Sequence, residues 1–316
     1  MNLRNCLLAL VLALILPTLT ACTEAPITGR SQFIMVSDAS MLSASQESYA
    51  EFLETNELSD NTEQTAVVKR IGKDIQNAVE TWAQDTGQTD LLENYEWEFN
   101  LVQSDQVNAW CMPGGKIVVY TGMFPVAETE AGLATIMGHE VAHAIARHGA
   151  EQVTSNMVVG AGGALLAAAF NDDEPGDPNS TDGGYSDEQI AMISYGILTQ
   201  VGLLLPHSRT QEREADHLGL IYMAMAGYNP EKAPELWQRM ADRGKSSSGL
   251  LKSFETILST HPTNEERIIN LRDLAPDAMR YYRNAPTRHE DKKLPLTPEQ
   301  TAETEPADAQ TPEPQT

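Results

Sequence analysis

The sequence predicts a mainly α-helical α+β domain with a small β-sheet, and three patterns predict it. Apolar residues recur at three- and four-residue spacings over residues 41–82, 128–147, 211–226, 234–243 and 250–259, the rhythm of amphipathic helices. Only residues 95–120 carry the two-residue alternation of strands. No internal repeat extends the chain into a solenoid. The 316 residues suffice for one large packed domain, and 41% hydrophobic against 21% charged residues is a globular balance.

Residues 1–21 read as an export signal. Arg4 gives a positive start, and residues 6–16 form an apolar run too short for a comfortable transmembrane helix. Leu19-Thr20-Ala21-Cys22 resembles a bacterial lipobox, where processing leaves Cys22 as a lipidated N-terminus; an ordinary signal ending near a cysteine is the competing reading. Three fatty chains anchor stably, because each buried methylene adds roughly 0.8 kcal/mol. Thr23, rather than Asp, beside the lipid cysteine points to the outer membrane, facing the periplasm. Residues 22–40 follow as an extended, lipidated tether. With Cys6 removed and Cys22 acylated, Cys111 lacks an intramolecular partner and reads as a small buried hydrophobe, or else as a disulfide link to a second chain. The net charge of −24 excludes nucleic acid as a partner and an electrostatic grip on anionic headgroups.

Within the domain, residues 41–285, two amphipathic helices come first, carrying Tyr49, Phe52 and Leu53, then Val67, Val68, Ile71, Ile75 and Val79. Tyr95, Trp97, Phe99 and Leu101 alternate as a strand; residues 107–112 and 116–120 make two more around the turn Pro113-Gly114-Gly115. A helix over 128–147 ends at His148-Gly149, with the glycine as C-cap. The apolar stretches 153–170 and 190–205 read as buried or cleft-covering helices, with a membrane hairpin as the alternative. Residues 286–316, rich in Pro, Thr, Glu and Gln, read as a disordered tail whose removal should be silent.

The chemistry is concentrated in His139-Glu140-Val141-Ala142-His143. Residues four apart differ by about 40° around a helix, so both imidazoles leave one face and can share a metal. Glu140, displaced by about 100°, can reach a water on that metal without ligating it. Leu133, Ile136, Met137 and Ile145 would bury this helix; two satisfied core histidines are the bland alternative, and a costly one to bury. A catalytic zinc site takes three protein ligands and one open position. The segment 208–216 offers Glu212 as third ligand and, one turn on, Asp216 to accept the spare N–H of a ligating histidine. Glu214, about 200° from Glu212, reads as solvated. His148, about 140° round from His143, and His207, ahead of the ligand helix, read as non-ligands.

Together with residues 108–115, Val119-Tyr120-Thr121-Gly122 and Thr260-His261-Pro262, these segments resemble the zinc endopeptidases that include the HtpX heat-shock protease, the CAAX prenyl proteases and the periplasmic outer-membrane assembly proteases. The resemblance covers roughly residues 45–275. It implies a gluzincin fold, one zinc ion on His139, His143 and Glu212, and Glu140 as base. Trp110 and Cys111 stand where the family more often has Phe and a small residue. The lack of repeats after residue 285 and of convincing spans separates the chain from repeat-bearing and integral-membrane members. In family members the strand bearing Asn108, Ala109 and Trp110 edges the cleft, where an extended substrate adds by backbone pairing. Such pairing accepts many sequences, which implies unfolded or misassembled envelope proteins as substrates, and association with envelope assembly machinery. An aminopeptidase and a non-catalytic chaperone are the competing functions; no motif marks a pocket for a free N-terminus, and a scaffold does not need Glu140. His261 is open to three readings: a turn residue, a donor to the oxyanion, or a plug in the open zinc position.

Overall fold

The computed structural model describes residues 22–26, 28–170, 207–244, 251–261 and 265–304. The expected export signal and the apolar stretch 190–205 lie outside them. Strands β1 (Cys22–Glu24) and β2 (Ser31–Phe33) pair antiparallel, with Cys22 opposite Phe33. Beyond β2 the burial alternates, so that Gln32, Ile34 and Val36 face inward. Ile34 and Val36 pack with Met41, Ala44, Ala150, Val153 and Met157, and the Gln32 amide donates to the Ala146 carbonyl at 2.8 Å. The expected extended tether with short apolar contacts at residues 33–36 is thus a hairpin docked through two of them, Ile34 and Val36, while Phe33 and Met35 are exposed.

Helices α1 (Asp38–Thr55) and α2 (Thr62–Thr86) follow, started by the side-chain caps Ser37 and Asn61; Gly87, at φ 68°, stops the second. Strands β3 (Glu98–Val102), β4 (Ala109–Met112) and β5 (Lys116–Tyr120) form the sheet in the order β3-β5-β4, with β5 parallel to β3 and antiparallel to β4. Every residue of β5 is buried. Ile117 and Val119 face the main core, while Val118 and Tyr120 join Tyr49, Trp110 and Met112 on the face that Phe52 and Leu53 of α1 cover. The β4–β5 turn needs φ of 88° at Gly114 and 81° at Gly115, which glycine supplies without strain. Strand β4 is left at the sheet's edge.

Helix α3 (Glu130–Ile145) carries the HExxH residues, and all 16 of its residues are buried. It ends before the expected glycine cap, because Arg147 makes the reversal at φ 59° and Gly149 lies inside the next helix, α4 (His148–Phe170). Helix α5 (Arg209–Met225) starts with a capping box between Ser208 and Gln211. Helices α6 (Ala233–Gly244), α7 (Leu251–Thr260), α8 (Glu265–Asn284) and α9 (Pro298–Thr304) complete the described chain. No described helix is long and apolar enough to cross a membrane.

Residues 286–304 contradict the expected disordered tail. Leu294 is buried, Glu130 N–H donates to the Lys292 carbonyl at 2.8 Å, and Leu294 N–H donates to the Glu128 carbonyl at 2.9 Å. The buried Gln64 amide donates to Pro295 O and Gln300 Oε1, each at 2.8 Å. Leu294, the partly buried Leu296 and a row of hydrogen bonds hold the segment, and two leucines hardly raise its average hydrophobicity. Deleting residues 290–316 should thus cost about 2–5 kcal/mol, from the lost Leu294 burial and the stranded Gln64 amide. Urea unfolding of the full-length and truncated chains measures it; coincident midpoints would show that the segment adds nothing.

Candidate metal centre

Helices α3 and α5 cross where Gly138 meets Gly219: a Cβ on Gly219 would stand 2.9 Å from the His139 backbone nitrogen. That approach faces His139 and His143 toward Glu212, and the end of α7 brings in His261. His139 Nε2 lies 3.1 Å from His143 Nε2 and 3.5 Å from Glu212 Oε2. His143 Nε2 is 3.3 Å from Glu212 Oε1. His261 Nδ1 is 3.0 Å from Glu212 Oε1 and 3.2 Å from His139 Nε2. One ligand-capable atom from each of the four falls within 4.8 Å of the other three, and all four residues are buried. Two or three imidazoles and a carboxylate, desolvated and convergent, are a donor set suited to a divalent borderline metal ion.

Burial acts on the two carboxylates in opposite company. It pushes the Glu140 carboxyl above its usual value, against the pull of His261 and His139. It pushes Glu212 the same way, but His261 and Arg267 outweigh it and hold that carboxylate well below the normal range. The same burial meets different neighbours, so the two carboxyls shift in opposite directions. Burial, followed by His207, presses His143 well below the usual histidine range, while at His139 burial and Arg267 are outweighed by Asp216 and Glu212, which raise it to about 9.

Asp216 sits where the sequence placed it, with Oδ1 3.0 Å from His139 Nδ1. Its other partner had not been anticipated. Arg267 of α8 donates to both Asp216 oxygens, at 2.7 and 2.8 Å, reaches Glu212 Oε2 at 2.9 Å, and lies 3.4 Å over the Trp237 ring. The weak signal for it was a positive charge in the first turn of a helix, where the dipole disfavours one. Glu214 corrects the expectation of a solvated side chain: it is buried, and it accepts from His148 Nε2 at 3.0 Å, from Arg30 Nε at 3.0 Å and from Thr28 Oγ1. The β1–β2 hairpin covers the side of α5 that angular reasoning alone assigns to water. His148 and His207 stand beside the four-residue cluster; His207 stacks on His143 at 3.9 Å between ring centroids.

A cleft of about 290 Å³ opens onto the cluster, with β4 along one wall and Glu140, His143 and His261 on the other. Asn108, Ala109 and Trp110 all border it, and all three are buried. The Trp110 ring packs edge-on against Phe52 and Tyr49, so its contribution to the wall is mainly backbone. Cys111 is free and half-buried there, less enclosed than a core hydrophobe. His261, 4% exposed, is no surface turn residue.

Replacing Arg267 should expose how this arrangement is held. Arg267→Leu leaves two buried carboxylates without their cation and should destabilise by about 3–5 kcal/mol. Arg267→Lys should fall between, since an ammonium cannot make the same fork. Denaturant unfolding of both variants tests this, and a Leu variant as stable as wild type would contradict it.

Comparison with known proteins agrees with this geometry. The mitochondrial metalloendopeptidase OMA1 of Schizosaccharomyces pombe is 34% identical over 193 residues, 61% of this chain and 50% of that protein. Its namesake from Saccharomyces cerevisiae is 28% identical over 263 residues, 82% of this chain and 70% of that protein. The beta-barrel assembly-enhancing protease of Escherichia coli is 27% identical over 188 residues, 57% of this chain and 34% of that protein. The chain thus spans about half the length of the first of these relatives and a third of the last. The family model for peptidase family M48 matches residues 70–275, a span that contains α3, β4, α5, His261 and Arg267. The chain belongs to peptidase family M48.

Proposed function

We propose that this chain is a zinc-dependent endopeptidase that cleaves unfolded or misassembled proteins of a bacterial envelope. The observation that carries it is the buried convergence of His139, His143 and Glu212, beside a Glu140 whose carboxyl is raised, inside the span matched by a peptidase family. Zinc held there would supply Lewis-acid polarisation of a scissile carbonyl and acidification of a water. Glu140, on the cleft wall, is placed to take the proton of the attacking water and deliver it to the leaving amine. Asp216 Oδ1, 3.0 Å from His139 Nδ1, is placed to accept its N–H, which would orient Nε2 toward a bound metal. Strand β4, at the sheet's edge and along the cleft, suits an extended peptide added by main-chain pairing, which favours unfolded chains over a fixed motif.

For location we infer export and a lipid on Cys22, placing the domain at the periplasmic face of the outer membrane, where envelope assembly machinery is a candidate associate. Support comes from Leu19-Thr20-Ala21-Cys22 and from a relative named for beta-barrel assembly. The relatives named as mitochondrial favour another compartment, but residues 1–21 carry a single arginine and a central apolar run rather than an Arg-rich amphipathic leader. His261, whose Nδ1 lies 3.2 Å from His139 Nε2 and 3.0 Å from Glu212 Oε1, supports a plug over a donor to the oxyanion.

Four measurements test these readings. Glu140→Gln should abolish cleavage of intact casein while the protein keeps roughly one zinc per chain; turnover above a few per cent of wild type removes Glu140 as the base. His139→Ala and Glu212→Ala should lose zinc and activity together. His261→Ala should raise basal proteolysis and self-cleavage if the imidazole is a plug, or lower turnover by about 10²-fold with zinc retained if it is a donor. For the anchor, Cys22→Ala should prevent acylation in cells labelled with a fatty acid, and label retained by that variant would refute the lipid site.

A further inference from the structure

We propose that Glu214 and His148 form a second orienting relay for the metal centre, positioning His143 as Asp216 positions His139. The proposal rests on the metal-centre reading above. Both ligand histidines of α3 turn Nε2 into the cluster, so each has Nδ1 to spare. For His139 the partner is the Asp216 carboxylate. His143 Nδ1 instead meets a second ring nitrogen, His148 Nδ1, at 2.8 Å. Two bare nitrogens repel at that distance, as do two N–H groups, so one of the pair carries a proton and the other does not.

Glu214 decides which. Its Oε2 lies 3.0 Å from His148 Nε2, and a carboxylate only accepts. His148 Nε2 therefore carries the hydrogen, and a neutral His148 is left with a bare Nδ1. His143 Nδ1–H donates to it. His143 Nε2 is then bare and directed at the cluster, the form in which imidazole binds a metal. A single carboxylate two rings away thus fixes the tautomer and the orientation of a ligand it never touches.

The relay is enclosed by the protein. His148 is 0% exposed and Glu214 4%, so bulk water does not reach the relay. Glu214 is itself clamped by Thr28 and by Arg30, whose Nε donates to Oε2 at 3.0 Å while its Nη1 and Nη2 donate to Glu151 at 2.6 and 2.7 Å. The backbone is bent to build it. Arg147 adopts φ 59°, uncommon outside glycine, and this break between α3 and α4 turns His148 back onto His143.

Zinc affinity of the full-length chain, stripped of metal and titrated against a chromophoric chelator, tests the relay. Glu214→Leu and His148→Phe should bind zinc about 10–100-fold more weakly than wild type. Glu214→Gln, whose side-chain oxygen still accepts from His148 Nε2, should recover most of that loss. Unfolding of the metal-free proteins is followed in parallel, because a merely structural role lowers the metal-free midpoint and leaves the affinity of the folded protein alone. The visible spectrum of the cobalt-loaded Glu214→Leu protein should also change, as His143 swings in its coordination. Wild-type affinity in both Glu214→Leu and His148→Phe, or a Glu214→Gln as weak as Glu214→Leu, overturns the relay. His143→Ala separates the two levels: zinc binding that survives it refutes the metal centre itself, whereas loss there with wild-type affinity in the relay variants refutes the relay alone.

Discussion

Where α3 and α5 cross, Gly138 and Gly219 let two backbones touch. A Cβ on Gly138 would sit 3.0 Å from the Gly219 carbonyl oxygen, and one on Gly219 would sit 3.0 Å from the His139 Cα. Side chains at these positions would push the helices apart by the width of a methyl group, and the distances inside the cluster, between 3.0 and 3.5 Å, have no such slack. The glycines sit just before the first histidine and two turns after Glu212, so the contact fixes the separation of the ligand sets along both helices. Glycine in a helix interior costs roughly 0.5–1 kcal/mol relative to alanine. The cost is accepted at the crossing that sets the site.

Bringing those helices together also concentrates charge. Glu140, Glu212, Asp216, Arg267 and four histidines (139, 143, 148 and 261) are all buried within one layer of the protein. Burying ions is costly unless each has a partner with good geometry. Arg267 answers for two carboxylates at once, its fork on Asp216 and its remaining nitrogen on Glu212, with its face against Trp237. A planar, permanently charged group can do this where an ammonium cannot. Burial raises Glu140 despite its cationic neighbours, whereas His261 and then Arg267 outweigh the same burial at Glu212 and lower it.

What the sequence made legible follows local rules. Spacing placed His139 and His143 on one helical face, alternation found the three strands, and a one-turn separation paired Glu212 with Asp216. What it hid depends on distant segments. Glu214 does point away from Glu212, but whether that side meets water depended on a hairpin some 180 residues earlier. The angle assigned to His148 assumed an unbroken helix, and a single left-handed residue, Arg147, invalidates it. Arg267 looks like any basic residue in a charged first turn until Asp216 and Glu212 are seen beneath it. The segment 286–304 has the composition of a tail, yet main-chain hydrogen bonds do not depend on composition.

That segment bears on the metal centre through the helix it caps. Asp291 Oδ1 accepts from Ala131 N–H at 3.0 Å, and the Thr129 hydroxyl accepts from Gly132 N–H at 3.1 Å, so two of the free donors at the start of α3 are satisfied by side chains. Asp291 and Glu130 also place negative charge at the positive end of the helix dipole. The opposite end of the same helix, carrying partial negative charge, lies at His143 in its last turn. A cation near that turn is favoured by the dipole, by Glu212 and by the low dielectric around them. The two terminal segments therefore act on opposite ends of one helix. The C-terminal stretch satisfies a donor at its start, the N-terminal hairpin holds Glu214 beside His148 at its finish, and His139 and His143 lie between the two.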